Sequence, residues 1–433
     1  LILRNSGNDW PKSLFRDGFM QSLVQHLDTI ETQAYRPAIL FINGEYWGIH
    51  NIRERFDVDY FTNHYGLAAE SLTILGKNAL LEYGSSEHRE EYLALRDYVA
   101  KQPVVTDDIY QLVDSQINLQ SLIDLYGAHI YFGNVDWPQN NIAYWKSQEA
   151  EGKWRWLLLD TDHGFARHGE LLLGNTEDFR LKYGPTSGLD FNTLAWAGDA
   201  VNYFLMDEWP NVLFNRLLTN DDFVTRLSNS MADALNSYFA PATVLGTLDT
   251  MAQAIRPEVG EHFHRYPGSL RADEKNSYFL PCTMMQELAD QGRLANSQLF
   301  DLDSGRPSQQ NPPADWEAEI EKMRQFAIYR PDYVRGHFVS FLGLSGIAEL
   351  TVELDPQQGQ VQINSLMVDS QAPGYQDGSW TGVYFQDIPI TARAIPRPGY
   401  AFVGWEGLTG QGAEVEILMD GDLVIRPLFR RVE

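Results

Sequence analysis

The sequence predicts an α+β fold for most of the chain, followed by a small all-β module. Three observations lead there: an opening of strand, helix and two strands, a long middle with helical periodicity, and a switch to alternating β-branched residues after Gly343. At 433 residues, with 44% hydrophobic and 12% aromatic content, the chain is long for a single domain, and two are expected. The boundary is expected at 343–348, which gives regions 1–342 and 347–433.

Leu1 to Asn5 reads as a strand and Ser6 to Asp9 as a turn. A helix follows, with Phe15, Phe19, Met20, Leu23, Val24 and Leu27 at helical spacing, Asp9 or Ser13 as its cap and Pro11 in its first turn. Strands Ala38 to Ile42 and Tyr46 to Ile52 flank Asn43-Gly44, the dipeptide a tight hairpin favours. Phe56 to Tyr131 reads as mostly helical and closes on an amphipathic stretch carrying Leu119, Leu122, Ile123, Tyr126 and Ile130. The loop Gly133 to Asn141 comes next, then strands at Ile142 to Lys146 and Trp154 to Asp160. From Gly169 to about Phe341 the pattern is helix-rich, broken by loops such as Ser304 to Pro313. Beyond it, alternation at Leu350, Val352 and Leu354, Val361 and Ile363, Ile388 and Ile390, Val415 and Ile417, and Val424 and Ile425 marks short strands. Gly382 to Phe385 and Gly399 to Trp405 resemble the short β-repeat modules appended to exported bacterial surface proteins.

Lys plus Arg is 33 against 59 Asp plus Glu, a formal charge of −26, which repels nucleic-acid phosphates and anionic lipid. A general nucleic-acid binder is therefore not expected. No apolar run reaches the ~20 residues of a membrane-spanning helix. The single cysteine, Cys282, rules out an intramolecular disulfide and a cysteine-based zinc cluster, and with no basic neighbour it reads as inert. The opening run has no initiator Met, charged n-region or signal-type apolar core, so residues before Leu1 are expected to be missing.

The chemistry concentrates in two carboxylate-bearing loops. Asp136-Trp-Pro-Gln-Asn-Asn141 sets a carboxylate five residues ahead of an amide. In protein kinases that interval separates the catalytic-loop base from the Asn that holds a metal ion on the nucleotide phosphates. Twenty-six residues after Asp136 stands Asp162, in Asp162-His163-Gly164 at the end of an apolar strand. It echoes the metal-chelating Asp-Phe-Gly element across a longer interval, with His in place of Phe. The carboxylate is what a hard cation needs, so the change touches packing rather than metal chemistry. Upstream, strand, helix, hairpin and the connector Asn51 to Asp57 match a kinase small lobe from its third strand to its hinge. Arg4 then stands where the phosphate-pairing Lys would be, with Asp17 or Arg16 on the partner helix and Ile52, Arg53, Glu54 and Arg55 along the adenine side. A glycine-rich phosphate loop would lie before Leu1.

Blander readings compete at each position. Asp136 and the Asn140-Asn141 pair suit a turn, Asp160 and Asp162 suit a solvated strand end, and Arg4 suits a surface ion pair. Glu258, His262 and His264 lack a convincing third ligand and read as incidental. The tryptophans Trp47, Trp137, Trp145, Trp154 and Trp156 read as packing rather than as a sugar platform.

Five blocks in order, over about 165 residues, resemble the CotH family: Leu3 to Asp9, Phe41 to Ile49, Arg53 to Asp57, Gly133 to Asn141 and Trp154 to Asp162. The resemblance implies a degenerate, two-lobed protein-kinase-like domain that phosphorylates Ser or Thr of extracellular, surface or spore-coat proteins with ATP and Mg²⁺ or Mn²⁺. Asp136 would be the catalytic base, Asn141 and Asp162 the metal ligands, and Arg4 and Ile52 to Arg55 the nucleotide contacts. It also implies a location outside the cell or at its surface, with matrix or cell-surface contacts through the C-terminal module. Two alternatives stay open: a surface adhesin with an inactive kinase-like domain, and a metal-dependent hydrolase using Asp160, Asp162 and His163.

Overall fold

The computed structural model describes residues 1–167, 181–183, 189–202, 205–266, 312–409 and 412–432. Cys282 and most of the Ser304 to Pro313 loop lie outside the described residues. In chain order the elements begin with β1 (Ile2–Arg4), α1 (Arg16–Val24), β2 (Tyr35–Ile42), β3 (Glu45–Arg53), α2 (Val58–Tyr65), β4 (Leu72–Leu75) and β5 (Leu81–Tyr83). Helices α3 (Ser86–Ala100), α4 (Asp107–Gln116) and α5 (Leu119–Phe132) lead to β6 (Ile142–Ser147) and β7 (Arg155–Leu158). Then come α6 (Thr193–Gly198), α7 (Val212–Leu217), α8 (Asp221–Leu235), α9 (Pro241–Ile255), α10 (Val259–Arg265) and α11 (Pro312–Leu342). The chain ends in strands β8 (Ile347–Glu353), β9 (Gly359–Ile363), β10 (Leu366–Val368), β11 (Ser379–Phe385), β12 (Ile390–Pro396), β13 (Tyr400–Glu406), β14 (Glu414–Ile417) and β15 (Leu423–Arg431).

Two compact units result: Leu1–Asn220 with Gly246–Arg330, and Asp221–Leu245 with Pro331–Glu433. The first holds a three-stranded antiparallel sheet in the order β1-β3-β2 and a four-stranded sheet in the order β5-β4-β6-β7. The β2–β3 hairpin turns on Asn43 (φ 53°) and Gly44 (φ 82°), the left-handed pair a tight turn requires. Tyr60 and Phe61 of α2 pack with Leu72, Ile74, Ala143, Trp145 and Leu157, so the second sheet has a continuous apolar face.

Two local readings change and one stands. Pro11 lies in the turn before α1, which starts only at Arg16 after Leu14 takes a left-handed φ of 75°. Asp9 still serves the helix from seven residues away, its carboxylate accepting the Arg16 N–H at 3.0 Å. Within the stretch read as mostly helical, Leu72 to Leu75 is a strand, because β6 offers it a complete backbone ladder from Leu72↔Ser147 to Leu75↔Tyr144. Trp137, Trp145, Trp154 and Trp156 are fully buried, so packing is their role.

In the second unit, two four-stranded sheets run β10-β9-β12-β14 and β11-β8-β15-β13. The alternation read from the sequence is the burial pattern: Leu350, Val352, Val361, Ile363, Ile390, Ala392 and Ile425 point inward. Phe338 of α11 stacks on Phe385 at 5.2 Å.

Candidate active site

Helix α5 delivers the first loop. Gly133 ends it in the left-handed conformation (φ 62°), its N–H turned back to α5 carbonyls, as a glycine cap does. Asn134 then accepts the Asp136 N–H at 3.0 Å and meets His129 through its amide, while Trp137 stacks on His129 with ring centres 4.3 Å apart. The Trp137 carbonyl takes the indole N–H of Trp196 at 2.6 Å. Asp136 is thereby fixed with only 8% of its surface exposed.

Its Oδ2 accepts Asn140 Nδ2 at 3.1 Å and Asn141 Nδ2 at 3.0 Å. The same Asn141 Nδ2 donates to the Asp160 carbonyl at 3.2 Å, which ties the first loop to the second. Both of these bonds come from Nδ2, which leaves Oδ1 for a ligand.

The second loop runs off β7. Asp160 takes a φ of 32°, and Thr161 docks on α1, its N–H and hydroxyl donating to Asp17 Oδ1 at 2.9 and 3.0 Å. Asp162 follows, fully buried. Phe165 then turns inward, bonded by its N–H to the Phe132 carbonyl and packed on Phe19 and Phe326. His163 had left open which ring packs this segment, and Phe165 is that ring. Its carbonyl is held by Arg16, a fully buried cation paired with Asp9 and Glu319.

Arg4 joins the acids. Its guanidinium donates to Asp160 and Asp162 through Nη2, the latter at 3.1 Å, and lies 3.4 Å from Asp17 through Nη1. Asp17 is shared with Arg53, at 2.6 Å. Of the two α1 candidates, Asp17 is thus the partner of Arg4, and Arg16 is engaged elsewhere. Against the penalty of full burial, Arg53 and then Arg4 hold the Asp17 carboxyl well below the usual carboxylate range. Arg53 and Glu54, expected beside an adenine, are committed within the protein: Arg53 also donates to the Ala34 and Gln33 carbonyls, and Glu54 accepts the Ala34 N–H and meets His64. Ile52 is partly buried and Arg55 exposed.

Asp162 stands differently. Burial first, and the neighbouring Asp160 second, push its carboxyl up to about 8 despite Arg167 and Arg4. Asp136 is pushed up to about 7, again by burial, with Asp160 adding to it and the two asparagines and Lys77 opposing. A carboxylate whose charge is disfavoured by burial and by a neighbouring acid suits a divalent cation, which inverts the local electrostatics when it binds. With Asn141 Oδ1 it makes the sparse hard-oxygen set that Mg²⁺ or Mn²⁺ takes when phosphates and water complete the shell. Among the described residues no group of three or more His, Cys, Asp or Glu forms a self-contained cation cage. His262 accepts the Ile49 N–H at 3.1 Å, a packing role.

One more part of the site is the Ser6–Asn8 turn, which the sequence marks as a turn inside the Leu3 to Asp9 block but assigns no role. Asn8 donates its backbone N–H to Asp162 Oδ2 at 2.8 Å, and its carbonyl accepts Arg167 Nη2 at 2.8 Å. Gly7 sits at φ 61° so close that a Cβ there would come within 2.5 Å of Asp162 Oδ2 and 2.6 Å of Arg4 Nη2. The signals in the sequence were the run of turn residues Asn5-Ser6-Gly7-Asn8 and its place in the Leu3 to Asp9 block.

An α+β kinase-like domain followed by an all-β domain is the class this fold defines. A model of the CotH kinase protein family matches residues 1–334, and the chain belongs to that family. It is an atypical kinase-like protein. No curated protein matches it.

Proposed function

We propose that this protein is a metal-dependent protein kinase that moves the γ-phosphoryl group of ATP to a Ser or Thr hydroxyl of an exported, surface or coat protein. One observation carries the proposal: a single hydrogen-bonded chain runs from Asp136 through Asn141 to Asp160, and on through Arg4 to Asp162. It links a candidate base to a candidate metal ligand through the residue types phosphoryl transfer uses.

Mg²⁺ or Mn²⁺ held on the nucleotide by Asp162 and Asn141 would neutralise charge on the phosphates. Asp136, held by Asn140 and Asn141, orients the acceptor hydroxyl and takes its proton; a carboxylate with a raised pKa is the better base near neutrality. Arg4, anchored on Asp17, stands at the phosphate end of the site with its charge shared among Asp17, Asp160 and Asp162. Ile52 and Arg55 remain for the adenine side, while Arg53 acts through Asp17. Because such transfer rests on positioning and charge stabilisation, this small set suffices. The C-terminal module, in this proposal, tethers or targets the enzyme outside the cell or at its surface.

The test is transfer of label from γ-labelled ATP, with Mn²⁺ or Mg²⁺, to a Ser/Thr-rich acceptor protein. Asp136→Ala should lower the rate by roughly 10²–10⁴-fold with the fold intact. Absence of transfer together with absence of metal-dependent nucleotide binding would shift the assignment to a surface-binding protein. Free phosphate without labelled protein would point to hydrolysis.

A further inference from the structure

Phosphoryl transfer needs positive charge at the transferred group, usually from a side chain as well as a metal. The loop from Asp136 to Asn141 contains no Lys or Arg. The arginines around the two loops are engaged: Arg16 with Asp9 and Glu319, Arg53 with Asp17, Arg167 with the Asn8 carbonyl, and Arg4 with three carboxylates.

Lys77 is not. It is exposed and has no side-chain hydrogen bond or ion pair among the described residues. The β4–β6 ladder pairs Leu75 with Tyr144, two residues from the start of β6, and the Lys77–Ala79 turn that follows β4 packs against β6, the strand that begins right after Asn141. Lys77 therefore stands at the end of the sheet from which the Asp136 to Asn141 loop leaves. Its electrostatic pull on the Asp136 carboxyl agrees with that placement.

The segment carrying it is built to hold one shape. Asn78 (φ 51°) and Ala79 (φ 57°) both occupy the left-handed region, a costly conformation for residues other than glycine that persists only where surroundings enforce it. Two arginines of α3 do the enforcing: Arg89 Nε donates to the Ala79 carbonyl at 2.8 Å, and Arg96 Nη1 to Asn78 Oδ1 at 3.0 Å.

We infer that Lys77 is a catalytic residue that contacts the transferred phosphoryl group, supplying from the β4–β5 turn the cation that the Asp136 loop lacks. This rests on the kinase function proposed above. In the step, the acceptor oxygen forms its bond to the γ-phosphorus as the bond to the β-phosphate oxygen breaks, Asp136 takes the hydroxyl proton, and ADP departs. The Lys77 ammonium stays protonated throughout and balances charge on the phosphoryl oxygens.

The full chain and its Lys77→Ala, Lys77→Arg and Lys77→Glu variants are compared in the labelled-ATP assay with Mn²⁺. Lys77→Ala should lose roughly 10²–10³-fold in kcat. Its affinity for Mn²⁺–ADP, which lacks the transferred group, should stay at the wild-type value. Lys77→Arg should recover most of the rate, Lys77→Glu should be slowest, and the limb of the pH–rate profile set by Asp136 should move upward in Lys77→Ala. Wild-type transfer with an undiminished Lys77→Ala rate, or a loss matched by equal loss of Mn²⁺–ADP binding, overturns the assignment of Lys77 alone. If the wild type transfers no label, the kinase function fails first and this inference with it.

Discussion

Two buried carboxylates, one in each unit, show how differently the fold treats an acid. Asp233 on α8 accepts the Ser365 N–H at 2.8 Å, the Ser365 hydroxyl at 2.5 Å, the Tyr384 hydroxyl at 3.1 Å and the Asn364 amide at 3.4 Å. Neutral donors surround it, and burial lifts its carboxyl only to about 6 because those bonds pull against the lift. Asp162 in the kinase-like unit has donors too, Arg4 among them, but burial first and then Asp160 beside it and Asp17 nearby outweigh Arg167 and Arg4, and its carboxyl rises to about 8. A satisfied buried acid fastens two segments together. An acid crowded by other acids holds a deficit of positive charge in place, which structural needs alone do not call for.

If that contrast is right, exchanging each acid for its amide should separate activity from stability. Asp162→Asn should lower phosphate transfer by ~10³-fold or more, the several kcal/mol attributed to metal charge stabilisation, with little loss of melting temperature. Asp233→Asn should leave the transfer rate near wild type and cost ~1–3 kcal/mol of stability, because an amide NH₂ would face donors. A purely thermal effect at Asp162 would break the comparison.

A smaller effect is expected at Gly7, which touches Asp162 without being an acid. Gly7→Ala forces either the Cβ or the carboxylate to move, and a displacement of that kind can cost up to ~10²-fold in rate. The left-handed φ makes the same change cost a further ~1 kcal/mol or more of stability. A Gly7→Ala variant that binds Mn²⁺–ADP and transfers phosphate like wild type would show that the close approach is incidental.

Much of this arrangement was legible in the sequence, and the rest has a physical reason for hiding. Alternation and the Asn43-Gly44 turn encode local geometry, so the hairpin and the C-terminal strands were readable. The intervals from Asp136 to Asn141 and Asp162 could be read because each loop is short and sits between regular elements. Strand β4 was hidden because a four-residue stretch with three apolar side chains fits a helix or a strand equally, and the ladder to β6 decides. The choice between Arg16 and Asp17 turned on Glu319, 303 residues away, which no local pattern reports. Lys77 was invisible for the same reason: the packing of its turn against β6 joins segments far apart in the chain.

The smallest effect separates the two acids by pH. Each has a folded pKa raised above its ordinary value near 3.8, so the native state holds protons that the unfolded state releases. The sign follows: the stability each contributes is fully present below about pH 4 and is lost as pH rises through the folded pKa. For Asp233 the loss ends near pH 6, whereas for Asp136 it continues to about 7 and for Asp162 to about 8. Unfolding free energies from urea titrations at pH 5, 6.5 and 8.5 should therefore drift downward as the pH rises. Asp233→Asn should flatten the drift below pH 6, and Asp162→Asn the drift above it. Mn²⁺ with ADP should raise stability most at pH 8.5, where Asp162 is ionised and the cation offsets its unmet charge. An equal Mn²⁺–ADP effect at pH 5 and 8.5, or one that survives in Asp162→Asn, would place the cation elsewhere and leave Asp162 a fastener like Asp233.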